Sequence, residues 1–390
     1  MTHRQPSRSD GARTQPVRLV VAGGGTGGHV LPALAVVEEL RRRGAVADLL
    51  WIGSAGGIEG ELAAASAIPF VTIPTGKLRR YFSLQTAADA VRVPLGVAAA
   101  RRQVRRFRPD VVFSTGGFVS VPTVVAAWHA APVLTHEQTA VLGLANRLNL
   151  RFADVLAVSY EQTAATARSL RQSVVVTGNP VRSNLANGDR AKGLARFGFS
   201  PDLPLLYVTG GARGASPVNQ RVAALLPGLL ETTQVLHQTG PASANADLAR
   251  LTAARGAWPA DVRDRYVATE FVRDELPDVY AAASLVLGRA GAGTIAELAF
   301  AGLPAVLIPL PGTGGDEQNA NARVLANAGG AVVLPQDQAT PERLGETLRT
   351  LLADPGRLSA MGNAARTVAR PDAASLLADE LLALADRRRR

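Results

Sequence analysis

The sequence predicts an α/β protein of two doubly wound, Rossmann-like domains facing one another across a cleft. Three observations carry that prediction. Short apolar runs alternate with stretches of helical spacing from Leu19 onward. The pattern opens twice in the same way, with Leu19–Ala22 running into Gly23-Gly24-Gly25-Thr26-Gly27-Gly28 and Leu203–Val208 into Gly210-Gly211-Ala212-Arg213-Gly214-Ala215. The 390 residues make about two domains, each able to bury its own core. In such sheets ligands bind beyond the carboxyl ends of the strands, which makes the cleft the expected site.

Residues 1–17 are polar, hold Arg4, Arg8 and Arg13, and read as a disordered arm with no apolar core of a secretory signal. Leu19–Ala22 is apolar on both faces, as a central parallel strand requires. After the glycine turn, Val30, Ala33, Leu34, Val37 and Leu40 share one helical face, and Gly44 ends the helix. Further strands are expected at Asp48–Ile52, Asp110–Phe113, Val133–Thr135, Val155–Val158 and Val174–Thr177. Gly178-Asn179-Pro180-Val181-Arg182 follows, and the polar Ser183–Arg190 then reads as an interdomain linker. The second series continues with Gln234–His237, Tyr266–Ala268, Leu285–Leu287, Ala305–Ile308 and Ala331–Leu334. The predicted units are 1–17, 18–182, 183–370 and a final helical segment, 371–386.

Composition removes several classes of function. There is no cysteine, hence no disulfide framework or thiolate chemistry. Apolar stretches are short, the longest candidate being broken by Pro304 and Pro309, so no membrane-spanning helix is expected. No Asp-x-Asp pair occurs and no histidines stand at ligand spacing, so no metal site is expected. Neither a Walker A sequence nor a Gly-x-Ser-x-Gly elbow is present.

The turns carry the chemistry. Gly23-x-Gly25-x-x-Gly28 fits a dinucleotide fingerprint, yet the second strand ends Trp51-Ile52-Gly53-Ser54 without the carboxylate that would hold a ribose. His29 stands at the mouth of the first helix, where a neutral imidazole aimed at the cleft can serve as a general base and where it can equally be a packing residue. Glu137, in His136-Glu137-Gln138 at the end of a strand, is the acidic candidate to orient a base or a sugar hydroxyl, or else braces its own turn. Arg289-Ala290-Gly291-Ala292-Gly293-Thr294-Ile295-Ala296-Glu297 sets small residues and free helix-start amides where a diphosphate could lie. Glu297, one turn inside, suits ribose hydroxyls, and Gln318 follows another strand end. Together these suggest a sugar-bearing nucleotide diphosphate. An NAD-dependent oxidoreductase and a non-catalytic nucleotide-sugar binder stay open at this stage.

The net charge is +10, and nine cations between Lys77 and Arg108 face only Asp89, a local +8. Lys77-Leu78-Arg79-Arg80-Tyr81-Phe82 mixes cations with apolar side chains, which suits an anionic membrane better than nucleic acid, since no nucleic-acid motif is present. A solvated arginine face is the plain alternative. The Arg387–Arg390 run reads as a frayed tail.

These motifs resemble the peptidoglycan N-acetylglucosaminyltransferases of the MurG type. The resemblance spans about Arg18 to Leu382 and rests on Gly24–His29, Gly116-Gly117-Phe118-Val119-Ser120-x-Pro122, His136-Glu137-Gln138, Gly178–Arg182, Gly210-Gly211-x-x-Gly214-Ala215-x-x-x-Asn219, Arg289–Thr294 with Glu297, and Gln318-x-x-Asn321-Ala322. It implies a GT-B fold and metal-independent, cofactor-free, inverting transfer of GlcNAc from UDP-GlcNAc to the MurNAc C4 hydroxyl of undecaprenyl-diphospho-MurNAc-pentapeptide. The acceptor belongs on the N-terminal domain and the donor mainly on the C-terminal one. His29 becomes the base, with Glu137 beside it. Thr26, Gly27, Gly28, Thr139, Arg182, Val272, Ala292, Gly293, Thr294, Ile295, Ala296, Glu297 and Gln318 fall on donor-contact positions, and Lys77–Phe82 on a docking patch for the cytoplasmic membrane face. The last helix is expected to return to the first domain. Three positions depart from the pattern: Thr139 stands for Asn, Ala212 for Ser, and Glu317 for His or Gln. They leave room for a diverged enzyme with another UDP-sugar or lipid acceptor.

Overall fold

All the strands expected from apolar runs form, and one more appears. The computed structural model describes residues 15–76, 84–170 and 173–389. The first sheet comprises β1 (Val17–Ala22), β2 (Val46–Gly53), β3 (Phe70–Thr72), β4 (Val111–Ser114), β5 (Val133–Glu137), β6 (Val155–Val158) and β7 (Val174–Val176). They lie in the order β3-β2-β1-β4-β5-β6-β7, every pair parallel. The short β3 escapes the sequence because none of its three residues is buried and they lie on the sheet edge. The second sheet holds β8 (Leu205–Thr209), β9 (Gln234–Gln238), β10 (Tyr266–Thr269), β11 (Leu285–Gly288), β12 (Ala305–Leu307) and β13 (Ala331–Val333), in the order β10-β9-β8-β11-β12-β13, again parallel. The order reverses beside β1 and beside β8, and both glycine turns stand at those switch points.

Each sheet is covered on both faces, which is why its central strands read as unbroken apolar runs. Leu19, Val21, Trp51 and Phe113 pack on one face of the first sheet, and Val20, Ile52, Val112 and Val133 on the other. Leu206, Val208 and Leu287 divide from Leu205, Tyr207 and Val286 in the same way across the second.

Ser183–Asn187 forms a 3-10 turn that packs on the helix Leu276–Ala282, and the Asp189 side chain caps the next helix, so the connection is held in place. The chain ends in a helix, Ala373–Arg389, whose Leu377, Leu381 and Leu384 enter the core of the first domain. Each such leucine contributes about 2 kcal/mol of burial. Its terminal arginines do not fray: Arg389 pairs with Asp110 at 2.8 Å, and Arg388 donates to the Pro109 carbonyl. The helix therefore ties the second half of the chain to the first.

Candidate active site between two glycine-turn helices

The helix Gly27–Arg42 follows β1, and the helix Ala292–Ala301 follows β11. The two meet across the cleft. Neither has a side-chain cap or an acidic residue in its first turn, so their first amides face the cleft unneutralised.

On the first domain, Thr26 and Gly28 are exposed, with Gly27 and His29 half-buried. His29 Nδ1 lies 2.8 Å from the Thr115 carbonyl and 3.0 Å from Gln138 Oε1. Both are acceptors, so Nδ1 carries the proton and Nε2 keeps its lone pair. Gly117 must be glycine for this: it has φ +75°, and a Cβ there would fall 3.1 Å from the imidazole Cδ2.

Glu137 does not orient His29. Its Oε1 accepts from the Thr139 amide at 3.1 Å and hydroxyl at 2.8 Å, and its Oε2 from the Gly143 amide at 2.8 Å and Asn146 Nδ2 at 2.9 Å. Three N–H donors and a hydroxyl shared with the Val141 carbonyl engage the carboxylate, which braces its own loop. The expected catalytic role for Glu137 is thereby corrected, and Thr139 is left with its hydroxyl engaged rather than offered to a ligand. Gln138, the neighbour in sequence, is the residue that reaches the imidazole.

The first glycine turn holds a residue that sequence reasoning missed. Glu59 is fully buried and accepts from the Gly25 amide at 3.0 Å and from the Ser54 amide and hydroxyl at 3.0 and 2.6 Å. These bonds hold its carboxyl below its ordinary value despite burial. A buried anion on the Gly25 amide excludes a dinucleotide diphosphate from that point of the turn. The signal was a carboxylate six positions beyond the end of β2, too far to be read as a strand-end residue.

On the second domain, helix geometry leaves the amides of Ala292, Gly293 and Thr294 without intrahelical acceptors. Ile295 is a correction: its amide already bonds the Gly291 carbonyl, and its side chain lies in the core. Ala296 lines a small cavity at the hinge beside Asn179 and Tyr160, so its side chain also turns from the cleft. Glu297 accepts from the Tyr280 hydroxyl at 2.9 Å, and Arg182 Nη2 stands 3.8 Å from its other oxygen. Burial raises the Glu297 carboxyl above its ordinary value, with Arg182 and Tyr280 opposing. The Val272 amide donates to Gln238 Oε1 at 2.9 Å, an acceptor shared with the Tyr207 hydroxyl.

Polar side chains pin the turn that precedes the Ala292–Ala301 helix. Gln318 Oε1 accepts from the Ala290 and Leu310 amides, leaving only its amide nitrogen for a ligand. Asn321 spans the domains, accepting from the Ala140 amide at 2.8 Å and donating to the Ala290 carbonyl at 3.1 Å. Asn179 Nδ2 donates to the Ala292 carbonyl at 3.2 Å. Arg289 is spent on the Ile308 and Pro309 carbonyls and on Gln336. Ser216 does not replace the hydroxyl absent at Ala212, since it bonds Asp247. Burial and the charge of Glu137 raise the Glu317 carboxyl above its ordinary value, and His29 opposes them. The expected docking residues Lys77, Leu78, Arg79, Arg80, Tyr81 and Phe82 lie outside the described residues, whereas Arg101, Arg102, Arg105 and Arg106 beyond them are exposed. Among the described residues no cluster of histidine and carboxylate side chains could hold a metal ion.

Two parallel-sheet domains meeting across a cleft, with a histidine at one helix mouth and uncapped amides at the facing one, have the GT-B architecture. The chain belongs to glycosyltransferase family 28: the N-terminal domain model of that family matches residues 19–158 and the C-terminal domain model residues 205–377. It is 35% identical over 363 residues to a UDP-N-acetylglucosamine--N-acetylmuramyl-(pentapeptide) pyrophosphoryl-undecaprenol N-acetylglucosamine transferase of Halalkalibacterium halodurans, covering 93% of this chain and 98% of that one. A protein of the same name from Desulforudis audaxviator is 36% identical, over 95% and 99% of the two chains. Among solved structures, MurG of Acinetobacter baumannii superposes with a TM-score of 0.72 at 29% identity, covering 94% of this chain and 99% of that one. A UDP-N-acetylglucosamine 2-epimerase, at 17% identity and a TM-score of 0.67, shares the fold.

Proposed function

We propose that the chain transfers GlcNAc from UDP-GlcNAc to the MurNAc C4 hydroxyl of undecaprenyl-diphospho-MurNAc-pentapeptide, with inversion and without a metal. The names of its relatives support the donor and the lipid acceptor. The observation that carries the chemistry is the free Nε2 of His29 across the cleft from an uncapped helix start. The acceptor C4 oxygen attacks the anomeric carbon as its proton passes to His29 Nε2, and the bond from that carbon to the UDP oxygen breaks. Charge developing on UDP is met by the amides of Ala292, Gly293 and Thr294 and by the helix dipole. Glu297 takes ribose hydroxyls, with Arg182 and Tyr280 holding its carboxylate in place.

The reading includes a seat on the cytoplasmic face of an anionic membrane. Exposed Arg101, Arg102, Arg105 and Arg106 offer cations to such a surface, each adding about 1 kcal/mol near it. No helix among the described residues is long and apolar enough to cross a membrane. The test is UDP release from UDP-GlcNAc in chelator, with and without a lipid I analogue. Release that needs the acceptor is expected; absent or acceptor-independent release would reject the transferase. Vesicle sedimentation with anionic against neutral lipid tests the seat, and equal binding to both would remove it.

A further inference from the structure

His29 is the last member of a chain of hydrogen bonds that begins at the hinge between the domains. His136 is fully buried, and its Nε2 lies 2.9 Å from the Gly178 carbonyl. A carbonyl only accepts, so His136 carries its proton on Nε2 and leaves Nδ1 bare. Burial and the nearby His29 hold the His136 imidazole down, at about 4, so the ring is neutral at physiological pH.

That bare nitrogen dictates which way Gln138 faces. One end of its amide meets three acceptors: His136 Nδ1 at 3.1 Å, the His136 carbonyl at 3.1 Å and the Thr115 carbonyl at 2.9 Å. Only the NH2 group can satisfy them, so Oε1 must point the other way, to His29 Nδ1 at 3.0 Å. An oxygen there demands N–H at Nδ1, and the Thr115 carbonyl demands the same. The polarity thus runs without choice from Gly178 to His29. It ends on the Nε2 of a half-buried imidazole, which has no partner among the described residues.

We propose that Gln138 and His136 are positioning residues that hold His29 as its Nδ1–H tautomer, so that the lone pair on Nε2 always faces the acceptor hydroxyl. This deepens the functional reading above and rests on it for the identity of the hydroxyl. Two acceptors on Nδ1–H also stabilise the imidazolium formed when the proton arrives. The anchor is rigid: Gly178 has φ +86°, and a Cβ on it would fall 2.4 Å from Arg370 Cβ. Its neighbour Asn179 grips the Ala292 carbonyl of the donor-side helix. One hinge dipeptide therefore bonds both to the relay that orients the base and to the helix that faces the donor.

The tautomers can be read directly. The chain has five histidines, so long-range proton–nitrogen spectra of the full chain labelled with 15N-histidine stay assignable, with His29→Ala marking its own signals. In the unaltered protein at neutral pH, His29 should appear as Nδ1–H and His136 as the opposite form, Nε2–H. In Gln138→Met, which matches the length but bonds nothing, the Nε2–H form of His29 should rise. The kcat should fall about tenfold while KM for UDP-GlcNAc stays within about twofold. His29 found as Nε2–H in the unaltered protein overturns the proposal even if Gln138→Met fails to fold. An unchanged His29 tautomer ratio in a folded Gln138→Met overturns it as well. The spectra do not depend on turnover, so a wild-type protein with the expected tautomers and no GlcNAc transfer would reject the functional reading alone.

Discussion

The two halves of the molecule open with the same device and use it differently. After β1 and after β8 a glycine turn feeds a helix at a switch point of a parallel sheet. In the first half a buried carboxylate, Glu59, takes the Gly25 amide, and the helix beyond presents His29. In the second, Asp247 binds Ser216 and Asn219 behind the turn, and a different helix, Ala292–Ala301, presents bare amides with Glu297 one turn inside. One wall is equipped to receive a proton and the other to receive negative charge. The division follows where each half places its carboxylates.

Breaking the first wall should have the largest effect. His29→Ala should lower transfer by about a thousandfold, the scale of a lost general base, while UDP-GlcNAc still raises the melting temperature. Normal turnover in that variant would move the base elsewhere. Glu59→Ala strands the Gly25 and Ser54 amides and should cost about 3 kcal/mol in urea unfolding; a change below about 1 kcal/mol would show that the turn holds its shape unaided.

Each half also buries one neutral histidine, and together they set an acid sensitivity. Burial depresses His136 to about 4 and His237 to about 3, from an ordinary 6.5. Between those values the unfolded chain binds protons that the folded one refuses, so stability is complete above about 6.5 and falls as pH drops toward 4. The slope should approach about two protons, near 2.7 kcal/mol per pH unit. A flat unfolding free energy from pH 7 to 5 would contradict both burials.

The second wall should respond more mildly. Glu297→Gln should weaken UDP-GlcNAc binding about tenfold with kcat little changed, because a neutral amide makes a weaker bond to ribose than a carboxylate does. Tyr280→Phe, which removes only the hydroxyl that steadies Glu297, should cost about threefold in the same titration. If Tyr280→Phe proved the more damaging of the two, Tyr280 itself would be the ligand contact.

Most strands were legible because parallel strands buried on both faces must be apolar throughout, and β3 was not because an edge strand of three residues, none of them buried, carries no such run. His29 was legible from its place after a glycine turn. Its partners were not: Gln138 lies 109 residues away and Thr115 86. Glu137 was the natural choice in His136-Glu137-Gln138 because carboxylates orient imidazoles, yet β5 turns alternate side chains apart and sends Glu137 to Asn146 and Gly143. The same limit hid Tyr280 and Gln238, which meet Glu297 and Val272 only once the second sheet is assembled.

By itself the sequence determined the two-sheet architecture, the glycine turns and the place of His29 at a helix mouth, because these follow from local periodicity and from backbone conformations that demand glycine. The tertiary structure alone decided which polar atoms are already satisfied. It assigned Glu137, Thr139 and Arg289 to bracing loops, and it left His29 Nε2 without a partner among the described residues and the Ala292–Ala301 helix without a side-chain cap. A hydrogen bond is a property of two atoms in space, and no spacing along the chain reveals whether a carboxylate has already found its donors.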